Sequence, residues 1–229
     1  MNYQKLATKL NKLSEPKYQE FNYKIVNTKQ TLLGVKMPLL RKIAKNLSKD
    51  YKENLKIFKD NEDIYEMVLL EGLMLSYAKA PFETIQKDIE CYVDKVDSWA
   101  QIDSVMLGFK TIPKEPDISL KIITKWLKSD KEFLVRSGLV GLLGFYVDEL
   151  HLGQLFTLSQ QIKHDGYYVM MANAWLISVC MAKFPKQTLE FFKNNRLDKR
   201  THNIAIQKSI DSFRVSASNK EIIRKLRIK

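Results

Sequence analysis

Trp99 and Asp103 stand four residues apart in a helical pattern, so an indole and a carboxylate share one face, one turn from each other. Arg136 and Trp175 follow in later segments of the same kind. Indole faces attract cations and pack against sugar C–H groups. A carboxylate in a partly water-excluded place stabilises positive charge that develops in a transition state. Arginine grips a phosphate with a planar, two-pronged fork. Together these four suit cleavage of a bond between a sugar and a positively charged leaving group. Each also has a structural reading. Trp99 and Trp175 would serve as core residues, and Asp103 could pair with Arg136 as an ion pair between neighbouring helices.

The elements that must position them recur with a fixed spacing. Tyr65, Trp99, Phe133, Tyr167 and Thr201 lie 34 residues apart, and the first four are aromatic. Three residues after each anchor the column reads Val68, Ile102, Arg136, Met170, Ile204, and four after it reads Leu69, Asp103, Ser137, Met171, Ala205. Trp175 is the oversized member of a column holding Leu73, Leu107, Gly141 and Ser209. Stacked repeats need apolar faces, so these intrusions are candidates for a site. The spacing predicts first helices over about 63–78, 97–110, 131–147 and 166–182, with Asp63, Asp97 and Asp165 as N-caps and Asp130 in the same role one place earlier. Second helices are expected over about 82–94, 117–128, 150–163 and 185–194, three of them opening near Pro81, Pro116 and Pro185. Two N-terminal helices, about 3–12 and 16–27, precede a turn at Gly34 and a helix opened by Pro38, and a final pair covers about 199–212 and 218–228.

This predicts an all-α, HEAT-like repeat solenoid of antiparallel helix pairs with a concave basic groove. It would form one domain over 1–229, with capping helices to about 60, repeats over about 61–196 and a basic cap over about 197–229. The tetratricopeptide repeat has the same period, but its Trp-x-x-Leu-Gly-x-x-Tyr pattern is missing from these units.

A formal charge of +12, from 38 basic and 26 acidic residues, favours a polyanionic partner, nucleic acid ahead of a membrane surface. From Asn195 onward ten basic residues face three acidic ones, and Arg196, Lys199, Arg200, Lys208 and Arg214 are candidate phosphate contacts; a solvated, charged cap is the structural alternative. The longest apolar runs, Leu139–Val147 and Val169–Ala182, are shorter than the ~18 residues a bilayer requires. Met1–Leu13 has no apolar core of a secretory signal. Cys91 and Cys180 are expected as buried thiols of a cytoplasmic protein. His151, His164 and His202 lack ligand spacing, so no metal and no cofactor is expected. Paired catalytic carboxylates, a Ser–His–Asp set, a glycine-rich phosphate loop and an identifiable lysine nucleophile are all missing.

At these residues the chain resembles the bacterial DNA alkylation repair glycosylases of the AlkD type, which are stacks of HEAT-like repeats. The likeness runs through Leu33-Gly34-Val35-Lys36-Met37-Pro38-Leu39-Leu40-Arg41, Trp99-Ala100-Gln101-Ile102-Asp103-Ser104 and Phe133-Leu134-Val135-Arg136. It continues through Gly166-Tyr167-Tyr168-Val169, Ala172-Asn173-Ala174-Trp175 and Leu197-Asp198-Lys199-Arg200-Thr201. The resemblance implies hydrolysis of the N-glycosidic bond of alkylated purines, such as 3-methyladenine and 7-methylguanine, in double-stranded DNA by a monomeric, monofunctional enzyme. It implies catalytic roles for Trp99, Asp103 and Trp175, and a place for Arg136 beside the DNA backbone. The family's N-terminal cleft tyrosine has Tyr23 as its equivalent here. Relatives that bind damaged or branched DNA without excising a base supply the alternative, and a solenoid for an acidic protein partner remains a third.

Overall fold

The computed structural model describes residues 2–59 and 63–229. The expected boundary between capping helices and repeats, near residues 60 and 61, lies outside the described residues. Apart from two isolated bridges, Ser14 with Val35 and Thr31 with Ile64, the described residues form helices, turns and loops. By backbone contacts the chain divides into two compact units, Met1–Ser119 and Leu120–Lys229.

In the first unit α1 (Tyr3–Lys12) and α2 (Pro16–Tyr23) lead to α3 (Met37–Leu47), the short α4 (Tyr51–Asn54), α5 (Tyr65–Tyr77), α6 (Phe82–Val93) and α7 (Trp99–Met106). Helices α3, α5 and α7 pack in succession, and α6 lies against α5. Helix α8 (Pro116–Trp126) begins in this unit and ends in the second. There α9 (Glu132–Phe145), α10 (Leu152–Gln160), α11 (Tyr167–Lys183), α12 (Pro185–Asn194), α13 (Lys199–Asp211) and α14 (Ala217–Arg224) follow. Helices α9, α11 and α13 again pack in succession, with α10 and α12 against α11 and α14 against α13. Ala174, Ile177, Phe191, Phe192 and Ile206 build that core, and Phe156 stacks on Phe191 at 4.3 Å between ring centres.

The 34-residue spacing locates helix starts: Tyr65, Trp99 and Tyr167 are each the first residue of their helix, and Phe133 is the second. It misplaces the caps. Ile64, Ser98, Lys131 and Gly166 occupy the N-cap positions, and none makes a side-chain capping bond. A capping side chain reaches the amides of the first turn from the residue just before the helix. Asp63, Asp97 and Asp165 stand one residue too early. Where the geometry is right, in α13, Asp198 accepts from the Thr201 amide at 2.9 Å. Burial raises the Asp198 carboxyl, but the bonds from Thr201 and Arg200 outweigh it and hold it below its ordinary value. The expected burial of both cysteines also needs correcting. Cys91 is exposed, on the side of α6 away from the buried Ile85, Ile89, Tyr92 and Val93, whereas Cys180 is buried in α11 and its thiol is pushed up to about 12.

Helix α5 is buried along nearly its whole length, from Tyr65 to Ser76, and takes two carboxylates inside with it. Both Glu71 oxygens accept from Lys95 Nζ, at 3.1 and 3.0 Å, and Lys95 also donates to the Phe58 carbonyl at 2.7 Å. Burial pushes the Glu71 carboxyl up to about 7 against the pull of Lys95. A raised carboxyl pKa means that the folded state holds the proton where the unfolded chain has released it. Stability should therefore fall as pH rises from about 4.5 to 7, by on the order of 3 kcal/mol from this group alone. Urea unfolding at pH 5 and pH 7.5 should give a smaller pH difference for Glu71→Gln than for wild type. Equal differences would show that Glu71 ionises freely in its buried place.

Candidate functional site

In the first unit the candidate residues cluster at the start of α7. Trp99 and Asp103 are both half-buried on one face of that helix. The Trp99 indole N–H donates to the Ile25 carbonyl at 3.2 Å, and the Ser98 hydroxyl donates to the Val26 carbonyl. Asp97 accepts from the Thr28 hydroxyl at 2.6 Å and from the Lys29 amide at 2.7 Å. Gln101 donates to Gln30 Oε1 at 2.7 Å, and Gln30 donates to the Lys95 carbonyl at 2.9 Å. A whole segment, residues 25–30, is thus fastened across the start of α7. Asn27 takes a φ of 47° in its bend, a conformation that asparagine adopts more readily than most residues.

The next residues are held by Glu66, only 2% exposed, whose carboxylate accepts from the amides of Leu33, Gly34 and Val35 at 2.9, 2.7 and 3.2 Å. Gly34 has a φ of +85°, and a Cβ there would lie 2.7 Å from Gln19 Cβ and 2.8 Å from the Glu15 carbonyl oxygen. The Leu33–Arg41 motif is therefore a carboxylate-bound turn feeding α3. Tyr23, half-exposed, receives a bond on its hydroxyl from the Leu32 amide at 3.3 Å. Phe21 and Ile25, two residues to either side of it, are exposed as well, immediately ahead of the segment on Trp99.

In the second unit Arg136 is buried, 4% exposed, and its Nη1 donates to the Tyr168 carbonyl at 2.8 Å. One turn earlier on α9, Glu132 accepts from the Tyr168 amide at 2.7 Å. Two side chains of one helix thus take both polar groups of a single peptide residue at the start of α11. Phe133 stacks on Tyr168 at 5.4 Å, and Tyr167 beside it is 52% exposed. The Gly166 backbone runs so close that a Cβ would meet Glu132 Oε1 at 2.5 Å and His164 Cε1 at 2.7 Å. His164 accepts from the Gly166 amide through Nδ1, which leaves Nε2–H to donate to the Asp130 carbonyl at 3.0 Å. Trp175 is half-buried further along α11.

Arg196, Lys199, Arg200 and Arg214 are exposed, and Lys208 is partly buried. Arg196 and Arg200 share a cavity of about 480 Å³ with Lys163 and Asn173; Lys199, Lys208 and Arg214 do not line it. The charge is unevenly divided. The second unit carries nineteen basic and nine acidic residues, whereas the first has nineteen and seventeen. Among the described residues no group of three or more His, Cys, Asp or Glu side chains could hold a metal ion, and no helix is long and apolar enough to cross a membrane.

Sequence reasoning missed Glu66 and Glu132. Both were visible as carboxylates in columns of the repeat whose other members are not acidic: Glu66 beside Ala100, Leu134, Tyr168 and His202, and Glu132 beside Ile64, Ser98, Gly166 and Arg200.

An all-helical chain with these motifs in this order invites comparison with DNA repair proteins. Residues 6–212 match the family model described as DNA alkylation repair enzyme, and the chain belongs to that family. No individual curated protein matches it.

Proposed function

We propose that the protein is a monofunctional DNA glycosylase that releases alkylated purines, with 3-methyladenine and 7-methylguanine as substrates. Membership of the DNA alkylation repair family supports the DNA substrate. The observation that carries the reaction is the placing of Trp99 and Asp103 on one face of α7, beside a fixed backbone segment. In this reading the C1′–N bond breaks first, and the bonding electrons leave with the base. An alkylated purine already bears positive charge, so it departs neutral without a proton from a general acid. Asp103 stabilises the oxocarbenium-like sugar and orients the water whose oxygen bonds to C1′. That water's proton passes to the carboxylate or to solvent.

Trp99 in the first unit and Trp175 in the second each offer an indole face to the sugars of the DNA. Arg136 serves the DNA backbone through the start of α11, which it holds together with Glu132. Arg196, Lys199, Arg200, Lys208 and Arg214 neutralise phosphates, in keeping with the excess positive charge of the second unit. Within each unit, the successive packing of first helices supports a run of HEAT-like pairs. Tyr23 extends the lesion-facing surface from α2. The chain acts as a cytoplasmic monomer without a cofactor.

Duplex DNA carrying 7-methylguanine, incubated with excess protein, should yield the free base and an abasic strand that breaks only on alkaline treatment. Tight binding to branched junctions with no base released in a single turnover would favour the noncatalytic reading instead.

A further inference from the structure

At the far end of α7 from Trp99, in the first unit, Lys45, Lys49, Lys79, Lys110 and Lys114 surround a concavity of about 650 Å³. All five are exposed, and none forms an ion pair with a described carboxylate. Acidic residues nearly balance basic ones in this unit, seventeen to nineteen, so counter-charges are at hand within it. Elsewhere in it Lys24, Lys36, Lys52, Lys56 and Lys95 each bind a carboxylate at 2.7–3.0 Å. No acidic side chain lines the concavity. The Thr111 hydroxyl, on its wall, is buried and has no hydrogen-bond partner, and Lys45 Nζ lies 5.5 Å from the centre of the Tyr77 ring.

Helix dipoles explain part of this. Lys45 sits in the last turn of α3 and Lys79 just beyond the end of α5, where a cation is favourable. They do not explain five ammonium groups gathered without a counter-charge, because mutual repulsion across such a concavity costs free energy unless an anion occupies it.

We propose that this lysine cluster is a second phosphate-binding surface for duplex DNA, separate from the basic C-terminal section. It holds the backbone flanking the lesion while the lesion itself is at Trp99 and Asp103. The proposal rests on the reading of the protein as a DNA glycosylase. The length of α7, eight residues or about 12 Å, separates the cluster from Trp99, so the phosphates concerned lie to one side of the lesion.

The test is the salt dependence of binding to a lesion-bearing duplex with a noncleavable sugar analogue. It compares wild type, a variant with Lys49, Lys79, Lys110 and Lys114 all changed to Gln, and a charge-matched control with Lys5, Lys12, Lys56 and Lys87 changed to Gln. The cluster variant should lose about two or more from the slope of log affinity against log salt, and bind about tenfold more weakly at moderate salt. The control should lose less than one. Single-turnover base release at limiting protein should fall with the affinity in the cluster variant and keep its wild-type rate in the control, whose four lysines line neither basic surface. Equal slopes in the cluster variant and the control would overturn the proposal while leaving the glycosylase reading intact. Wild-type protein that fails to bind the duplex overturns both.

Discussion

Asp103→Asn should reduce single-turnover release of 7-methylguanine by about 10²–10³-fold while leaving duplex affinity and thermal stability close to wild type. The substitution is nearly isosteric and removes the negative charge. That charge matters only while the C1′–N bond is breaking, when the sugar becomes cationic. The substrate's own charge sits on the base, which departs, so ground-state binding has little reason to change. Asp103 is half-buried, so its field is less screened by water than that of a surface carboxylate. The null result is equally definite. A variant that keeps its activity but melts several degrees lower would make Asp103 a structural partner and transfer the chemistry elsewhere. Measuring base release, affinity and melting together separates a catalytic loss from a folding loss.

Glu66→Ala should cost about 3–5 kcal/mol of stability, seen as a fall of roughly 10 °C in melting temperature. Glu66 accepts three backbone amides while almost wholly buried. Removing it strands the Leu33, Gly34 and Val35 amides away from water, and each unsatisfied buried donor costs about 1–3 kcal/mol. Glu66→Gln keeps one acceptor oxygen and should lose less. The same change should lower base release beyond what the melting shift explains, because the turn it holds leads directly from the segment clamped on Trp99. An alanine variant within 1 kcal/mol of wild type would show that water reaches the turn and replaces the carboxylate.

The helices were legible because their signals are local. Prolines at second-helix starts and the four-residue step from Trp99 to Asp103 each lie within a turn or two of chain, and the 34-residue recurrence repeats such local signals along it. What escaped was set by partners distant in sequence. Asp97 has the chemistry of a cap, yet its carboxylate is taken by Thr28 and Lys29, and nothing near residue 97 announces that. Arg136 stood out as a misplaced cation. Its engagement of Tyr168 in company with Glu132 depends on how α9 meets α11. Cys91 was assigned by composition, whereas the apolar stripe of α6 decides that it faces outward. The uneven charge was in the sequence throughout, but only the boundary near Ser119 divides it.

The clamp over α7 also has a consequence for the order of assembly. Its bonds join Ile25 to Trp99, Val26 to Ser98, Thr28 to Asp97 and Gln30 to Gln101, with sequence separations of 74, 72, 69 and 71 residues. Closing a loop twice as long as a repeat adds about 0.6 kcal/mol of chain entropy, recovered only when both ends are in place. Residues 25–30 emerge first from the ribosome, yet they have nothing to dock on until residue 101 has been made and α5 and α7 have met. Phe21, Tyr23 and Ile25 wait with them. The surface beside Trp99 is therefore finished late although it is begun early, and a chain stopped short of α7 carries the beginning of that surface without being able to complete it.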